Sequence, residues 1–220
     1  ADELRKLLAH PNRARGLTLL AETGLLPVVL PEAAPLVAAT RVLKVLPPAT
    51  PFPTALAAVL DGLDAKGVIA LARRLKLSND EADRVGWLAA HRRALVDAPA
   101  LRPSALHPLL AHPAAGELLA LARADAVAAG EGVGHVEFAE RVAREKSAGE
   151  LDPPPLCTGE DLRRAGFAPG PGFKPALAAA RAAQLDGEAA TPADALRVAA
   201  RRLADSGDAG NPDAARPRRV

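Results

Sequence analysis

Apolar residues recur along most of the chain at intervals of three and four, the spacing that places them on one face of an α-helix. From residue 1 to about 46 this pattern predicts a helix, a turn at Gly24 and a second helix. Glycine at this position favours the end of the first helix, because it readily takes the left-handed conformation that closes a helix. A cluster of prolines, which lack the amide donor, then predicts a short linker: Pro47, Pro48, Pro51 and Pro53.

Helical spacing resumes from 52 to 112. Ser78 and Glu81 stand three residues apart, as in a capping box, where the two side chains satisfy backbone amides reciprocally. We therefore predict a long helix over 79–96. Two further helices complete the central part of the chain, over about 114–129 and 135–146.

The sequence changes character after three consecutive prolines at 153–155. A second capping signature begins at Thr158, and a turn rich in glycine and proline occupies 166–172. The last helix is predicted to start at Thr191 and Pro192, a cap residue followed by proline at the first helical position. The final stretch, 205–220, has hardly any apolar residue to bury, so we expect it to be disordered.

Composition supports an all-α fold. The hydrophobic share is 49%, but it consists mainly of Ala, Leu and Val, with four Phe, one Trp and no Tyr. Ala and Leu favour helices, whereas strands favour the aromatic and β-branched residues. We predict a bundle-like helical body with a smaller helical tail module. The predicted divisions are a first helix pair at 1–46, the body at 47–150, the tail module at 151–204 and the disordered tail at 205–220.

Charge and cysteine usage restrict the compartment and the partners. A formal net charge of +2 is only mildly basic, so any argument for nucleic-acid binding has to rest on local clusters. One cysteine rules out an internal disulfide framework and suits the cytoplasm. We find no apolar run near the roughly 18 residues of a membrane span and no signal segment, and we expect no membrane partner.

The sequence predicts no catalytic residue and no metal ligand. A nucleotidyl-transferring centre needs closely spaced carboxylates that hold metal ions, and the nearest pair, Asp61 and Asp64, is typical of a helix end followed by a helix start. No His-Asp doublet occurs, as a metal-dependent phosphohydrolase would require. Cys157 has no histidine near it in sequence, so a small buried residue is a better interpretation than a nucleophile.

The first candidate for RNA contact lies on the predicted helix over 79–96. Three-residue and four-residue spacing places Arg84, Trp87 and His91 on one face, where a ring and two cations could stack on a base and bind a phosphate. Arg92 and Arg93 follow directly. The alternative is that Trp87 packs into the core, which we favour for this ring, while the arginines remain RNA candidates.

The second candidate is the glycine-bearing turn between two predicted helices. Gly170 and Gly172 permit a close backbone approach, and Lys174 adds a positive charge at the start of the next helix. These residues could bind a phosphate of RNA. They are equally typical of a helix stop, a tight turn and a helix start.

Three stretches together resemble the C-terminal part of the bacterial tRNA nucleotidyltransferase and poly(A) polymerase family. They are an Ala/Leu-rich pair of helices with a Gly-Leu-Leu-Pro turn over 3–31, the segment ARRLKLSNDEADRVGWLAAH over 72–91, and a segment with Thr-Gly-Glu-Asp-Leu and Pro-Gly-Pro over 153–191. The resemblance follows the family's order over most of residues 1–204.

The resemblance implies an all-helical region that grips the acceptor arm of tRNA. In the family a catalytic head adds C, C and A, or A alone, to an RNA 3′ end without a template. It also implies that Mg²⁺ and CTP or ATP bind in that head, a partner that would precede Ala1. Since the chain has no Met and starts within helical sequence, we expect it to be a fragment of a longer chain, inactive alone.

Two other functions compete with RNA binding. A helical scaffold for protein interaction would use its basic residues only for solubility. A hydrolase would act through Cys157 or a histidine cluster, and Cys157→Ala would then abolish its activity. If RNA binding is correct, alanine at Arg92 and Arg93, or at Lys174, weakens RNA binding and flattens its salt dependence.

Overall fold

The computed structural model describes residues 2–60 and 62–205. Within these ranges the secondary structure is helical, and the strand-like pairing is one isolated bridge between Ala33 and Leu60. The all-α prediction is confirmed. The tail predicted to be disordered, 205–220, lies outside the described residues except for Asp205, the last residue of a helix.

The chain divides into two compact units. Among the described residues, the first comprises those up to 99 together with 112–145, and the second comprises 100–111 and those from 146 to 205. The boundaries of these two units differ in position from the divisions predicted from the sequence. Those predicted divisions remain a prediction.

The first unit contains nine of the described helices. They are α1 (Asp2–Ala9), α2 (Arg13–Glu22), α3 (Leu26–Val29), α4 (Leu36–Val45), α5 (Phe52–Val59), α6 (Ala65–Leu75), α7 (Asn79–His91), α9 (Ala115–Ala129) and α10 (Gly134–Glu145). Helix α5 is apolar on nearly every side and is buried from Thr54 to Val59. Its alanines let α1, α4, α7 and α9 all pack against it.

The N-terminal segment differs from the predicted pair of helices, because it forms four. Helix α1 stops at Ala9 and α2 starts at Arg13. Pro11 lies in the break, where it lacks an amide donor and disfavours helix at His10. Gly24 has a φ of 70°, which confirms the predicted left-handed turn.

Helix α7 begins as predicted but ends five residues early. Ser78 and Glu81 form the capping box at its start. After His91 the chain continues in tight turns instead of reaching Val96. These turns bury Leu95 completely and allow Arg92 to contact the carbonyl end of α5. Tertiary packing therefore overrides the helical pattern of 92–96. The helices predicted over 114–129 and 135–146 are confirmed as α9 and α10.

The second unit contains α8 (Pro103–Ala111), α11 (Ala148–Leu151), α12 (Gly159–Arg164), α13 (Phe173–Leu185) and α14 (Pro192–Asp205). A 3-10 turn, Ala98–Ala100, precedes α8. Small residues of α13 and α14 pack closely together in a buried cluster that includes Leu162 and Leu203. Thr158 caps α12 and Thr191 precedes Pro192 at the start of α14, as the sequence predicts.

Candidate RNA-binding surfaces

Arg5, the first cation of the N-terminal segment, stabilises the fold through ion pairs. Arg5 on α1 donates to both carboxylate oxygens of Glu81, at 2.9 and 2.8 Å, and to Asp2 at 3.1 Å. The Arg5 hydrogen bond lowers the pKa of Glu81 to about 2, with help from the backbone amide of Ser78. This pair joins α1 to the start of α7.

Arg13 has a structural role of another kind. Its side chain is almost fully buried, and its guanidinium donates to the carbonyl oxygens of Pro47 and Pro48, at 3.1 and 2.6 Å. Burial without a carboxylate lowers the pKa of Arg13. The group satisfies two carbonyls in the proline-rich linker, where prolines supply no amide, and is inaccessible to RNA.

Helix α4, unlike the positions of Arg5 and Arg13, carries exposed cations without partners among the described residues. Arg41 and Lys44 are exposed and form no hydrogen bond or ion pair within the described ranges. They lie three residues apart, so they share one helix face. Val37, 64% exposed, precedes Arg41 by one turn on that face, while Ala39, Val42 and Leu43 are buried on the other. The sequence interpretation missed these two cations, although the spacing of the buried residues places both outward.

Arg84, a predicted RNA contact, is paired with a carboxylate. It donates to Glu117 of α9, and the buried hydroxyl of Thr54 donates to the same carboxylate. The three side chains connect α7, α9 and α5. Arg84 keeps part of its surface exposed, but its charge is offset by Glu117.

Trp87 forms a stack instead of an open platform. Its ring lies parallel to that of His112, with centroids 3.7 Å apart, and His91 packs against it at 4.8 Å. Nδ1 of His91 donates to the carbonyl oxygen of Trp87, and Nδ1 of His112 accepts from the amide of Ala114. Burial, with the charges of His91 and Arg84, lowers the pKa of His112.

The predicted residue His91 packs against Trp87, which is half-buried, and Arg84 lies near enough to His112 to contribute to the lowering of its pKa. The ring is therefore not fully buried in the core, since it is half-buried and stacks on His112, which is also half-buried. Sequence reasoning missed His112, which lies 25 residues further along the chain; the sequence holds no local signal for a contact of this range.

Arg92 and Arg93 are neighbours in different environments. Arg92 forms a bidentate pair with Asp125, at 2.8 and 2.7 Å, and also donates to the carbonyl oxygens of Leu60 and Ala57. Arg93 is exposed and has no such partner in the described part of the chain. Only Arg93 of this pair presents an unneutralised charge.

The turn before α13 holds the other predicted site. Gly166 has a φ of 90°, and Gly172 is the buried N-cap residue of α13. Gly170 and Lys174 are exposed, with Lys174 in the first turn of the helix. Since this turn belongs to the second unit and α4 and α7 to the first, the two predicted sites lie in separate units.

The described residues contain no cluster of three or more side chains suited to hold a metal ion. Asp64 accepts from the amide of Gly67 and caps α6, while its predicted neighbour Asp61 lies outside the described residues. Cys157 is buried, and burial followed by the charge of Asp161 raises the pKa of its thiol. The thiol therefore has the properties of a packed core residue.

Over 2–60 and 62–205, every helix is too short or too polar to cross a lipid bilayer.

A protein-family model matches residues 1–37. The matching family is described as "Probable RNA and SrmB- binding site of polymerase A". Searches among curated proteins and among solved structures give no significant match. The matched segment extends from α1 to Val37 of α4, and it supports RNA binding in a polymerase A-like protein.

Proposed function

We infer that the chain is the RNA-binding part of a template-independent nucleotidyltransferase and that it holds the 3′-terminal region of its RNA, such as the acceptor arm of tRNA. The match of residues 1–37 to an RNA-binding region of polymerase A carries this proposal. The addition of CCA, or of A alone, belongs to a catalytic head that binds Mg²⁺ and CTP or ATP. That head is the proposed partner within the parent protein.

The distribution of unneutralised charge supports the proposal. Phosphates bind most strongly to cations whose charge is not already offset by a carboxylate. Arg41 and Lys44 lie on the helix at which the matched segment ends, and each is exposed without a partner among the described residues. Arg93 and Lys174 share these properties.

A direct test compares RNAs of matched length for binding to the chain. We expect a tRNA to bind more tightly than an RNA hairpin of the same length without a single-stranded 3′ end, because unpaired bases add stacking and edge contacts to the phosphate contacts. A fluorescence titration at low salt measures both affinities.

Two outcomes distinguish recognition of the RNA 3′-terminal region from RNA binding in general. Equal affinity for tRNA and the blunt hairpin would contradict recognition of the 3′-terminal region while leaving RNA binding intact. Absence of binding to both RNAs at low salt, by a chain with a helical circular dichroism spectrum, would contradict RNA binding itself and favour a protein-interaction scaffold.

A further inference from the structure

A cavity of about 280 Å³ lies within the first unit. Its walls come from the start of α4, the turns after α7, the second half of α9 and the loop that leads into α10. One wall includes Ala34 and Pro35, which belong to the segment that matches the RNA-binding family. Its volume is slightly below the roughly 300 Å³ at which pockets for small molecules begin, so it suits one ring system.

Alanine side chains make part of the walls of the cavity. Ala38 of α4 and Ala126 and Ala129 of α9 expose only methyl groups and backbone to it. Apolar wall segments of this kind pack against a planar ring but do not fix its orientation. Orientation and selectivity therefore depend on the polar groups at the edge.

Asp125 supplies hydrogen-bond acceptors at that edge. Arg92 uses one acceptor position on each carboxylate oxygen, at 2.7 and 2.8 Å. Since each oxygen of an ionised carboxylate can accept about two hydrogen bonds, one position on each oxygen remains. Arg92 also donates to the carbonyl oxygens of Leu60 and Ala57, so the carboxylate is held in place before any ligand arrives.

Three more polar side chains border the cavity, and they are Arg93, Glu131 and His135. Arg93 and Glu131 are exposed and His135 is half-buried, and none of these three side chains forms a hydrogen bond or ion pair within 2–60 and 62–205. Arg93 can pair with a phosphate, and a ring nitrogen of His135 can bond to a sugar or base. The combination of an alanine-lined slot, fixed acceptors and a cation without a partner among the described residues matches the parts of a nucleotide.

We propose that this cavity binds one unpaired nucleobase of the RNA, and that it selects a base with an exocyclic amino group. The amino group donates to Asp125, the ring lies between the alanines, and Arg93 binds the adjoining phosphate. A base with a carbonyl at the same position directs an acceptor at the carboxylate and is rejected. This inference rests on the proposed function, since it takes the ligand from a bound RNA.

The first test uses mononucleotides, so it does not depend on RNA binding. AMP and IMP differ in the group at C6, amino against carbonyl. We expect AMP to bind the full chain about tenfold more tightly than IMP, the effect of one hydrogen bond to a charged acceptor. Chemical-shift titration of the ¹⁵N-labelled chain measures both affinities, with CMP and UMP as a second such pair.

Two variants in which a larger side chain replaces a cavity alanine test whether AMP binds in this cavity. Ala38→Phe fills the mouth of the cavity from an exposed position of α4, and Ala129→Leu does so from α9. Both are expected to remove the preference for AMP. Ala70→Phe adds a similar ring at an exposed position of α6 and is expected to preserve it. Equal binding of AMP and IMP by the unaltered chain, or an unchanged preference in both cavity variants, would overturn the proposal.

A second arm uses single-stranded RNA and separates this inference from the proposed function. A strand that contains adenine should bind about tenfold more tightly than an all-uracil strand of equal length, and Ala38→Phe should remove only that difference. RNA binding without base preference contradicts the cavity alone. Failure to bind any RNA contradicts the proposed function. If the chain binds AMP but binds no RNA strand, the assignment to RNA is overturned, because the ligand is then a free nucleotide.

Discussion

The basic residues of α7 and those of α4 have the same chemistry but different surroundings. On and directly after α7, Arg84 and Arg92 are paired with carboxylates of α9. On α4, Arg41 and Lys44 project from an exposed face without partners among the described residues. Paired cations hold helices together, whereas unpaired ones keep their charge available for phosphates. A cluster of arginines in a sequence therefore does not by itself identify an RNA-binding surface.

The largest expected effect distinguishes two neighbours, Arg92 and Arg93. Arg92→Ala removes the partner of the half-buried Asp125 and unpairs two backbone carbonyls, so it should lower the free energy of unfolding by about 2–4 kcal/mol. Arg93→Ala should change it by less than about 0.5 kcal/mol, as is usual at exposed positions. Urea denaturation measures both. Equal losses would contradict the division into structural and available cations.

A smaller effect is expected from the Arg5–Glu81 pair. The pKa of the Glu81 carboxyl falls from 4.5 to about 2 in the folded chain. The Glu81 carboxylate therefore stabilises the fold above pH 4.5, and this contribution is lost as the pH falls towards 2. At pH 6, Glu81→Gln should cost about 2 kcal/mol of unfolding free energy.

The pH dependence of that cost checks its origin. The difference between the unaltered chain and Glu81→Gln should shrink on going from pH 6 to pH 3, because the carboxylate becomes protonated first in the unfolded chain. Glu137→Gln, at an exposed position of α10, is the control and should cost little at either pH. A cost for Glu81→Gln that is independent of pH would show that the ion pair is not its source.

The fold was predictable where its causes are local. Caps at Ser78, Thr158 and Thr191 and the left-handed Gly24 follow from neighbouring residues, and all are found in the structure. The end of α7 was not, because Leu95 and Arg92 take their positions from distant partners.

The candidate site was predictable only as a list of charges. Whether a cation is paired depends on residues far away in sequence, such as Glu117 for Arg84 and Asp125 for Arg92. Neither partner lies within helical contact distance of its arginine along the chain, so spacing carries no information about it. The cavity beside Arg93 likewise needs four separate segments, and the sequence order alone does not bring them together.

The smallest expected effect on stability belongs to the residues with the largest expected effect on binding. Arg41→Ala combined with Lys44→Ala should leave the free energy of unfolding within about 0.5 kcal/mol of the original value. A matched control of equal charge change is Arg163→Ala combined with Arg197→Ala, since Glu160 and Asp194 already offset these guanidiniums.

The salt dependence of RNA affinity in these two double variants tests the central claim most directly. Each phosphate contact contributes roughly 0.7–0.9 to the slope of log affinity against log salt concentration, so losing Arg41 and Lys44 should reduce the slope by about 1.5. The control should keep the original slope. An unchanged slope in the Arg41/Lys44 variant, or an equal reduction in the control, would contradict the claim that unpaired cations of α4 bind RNA.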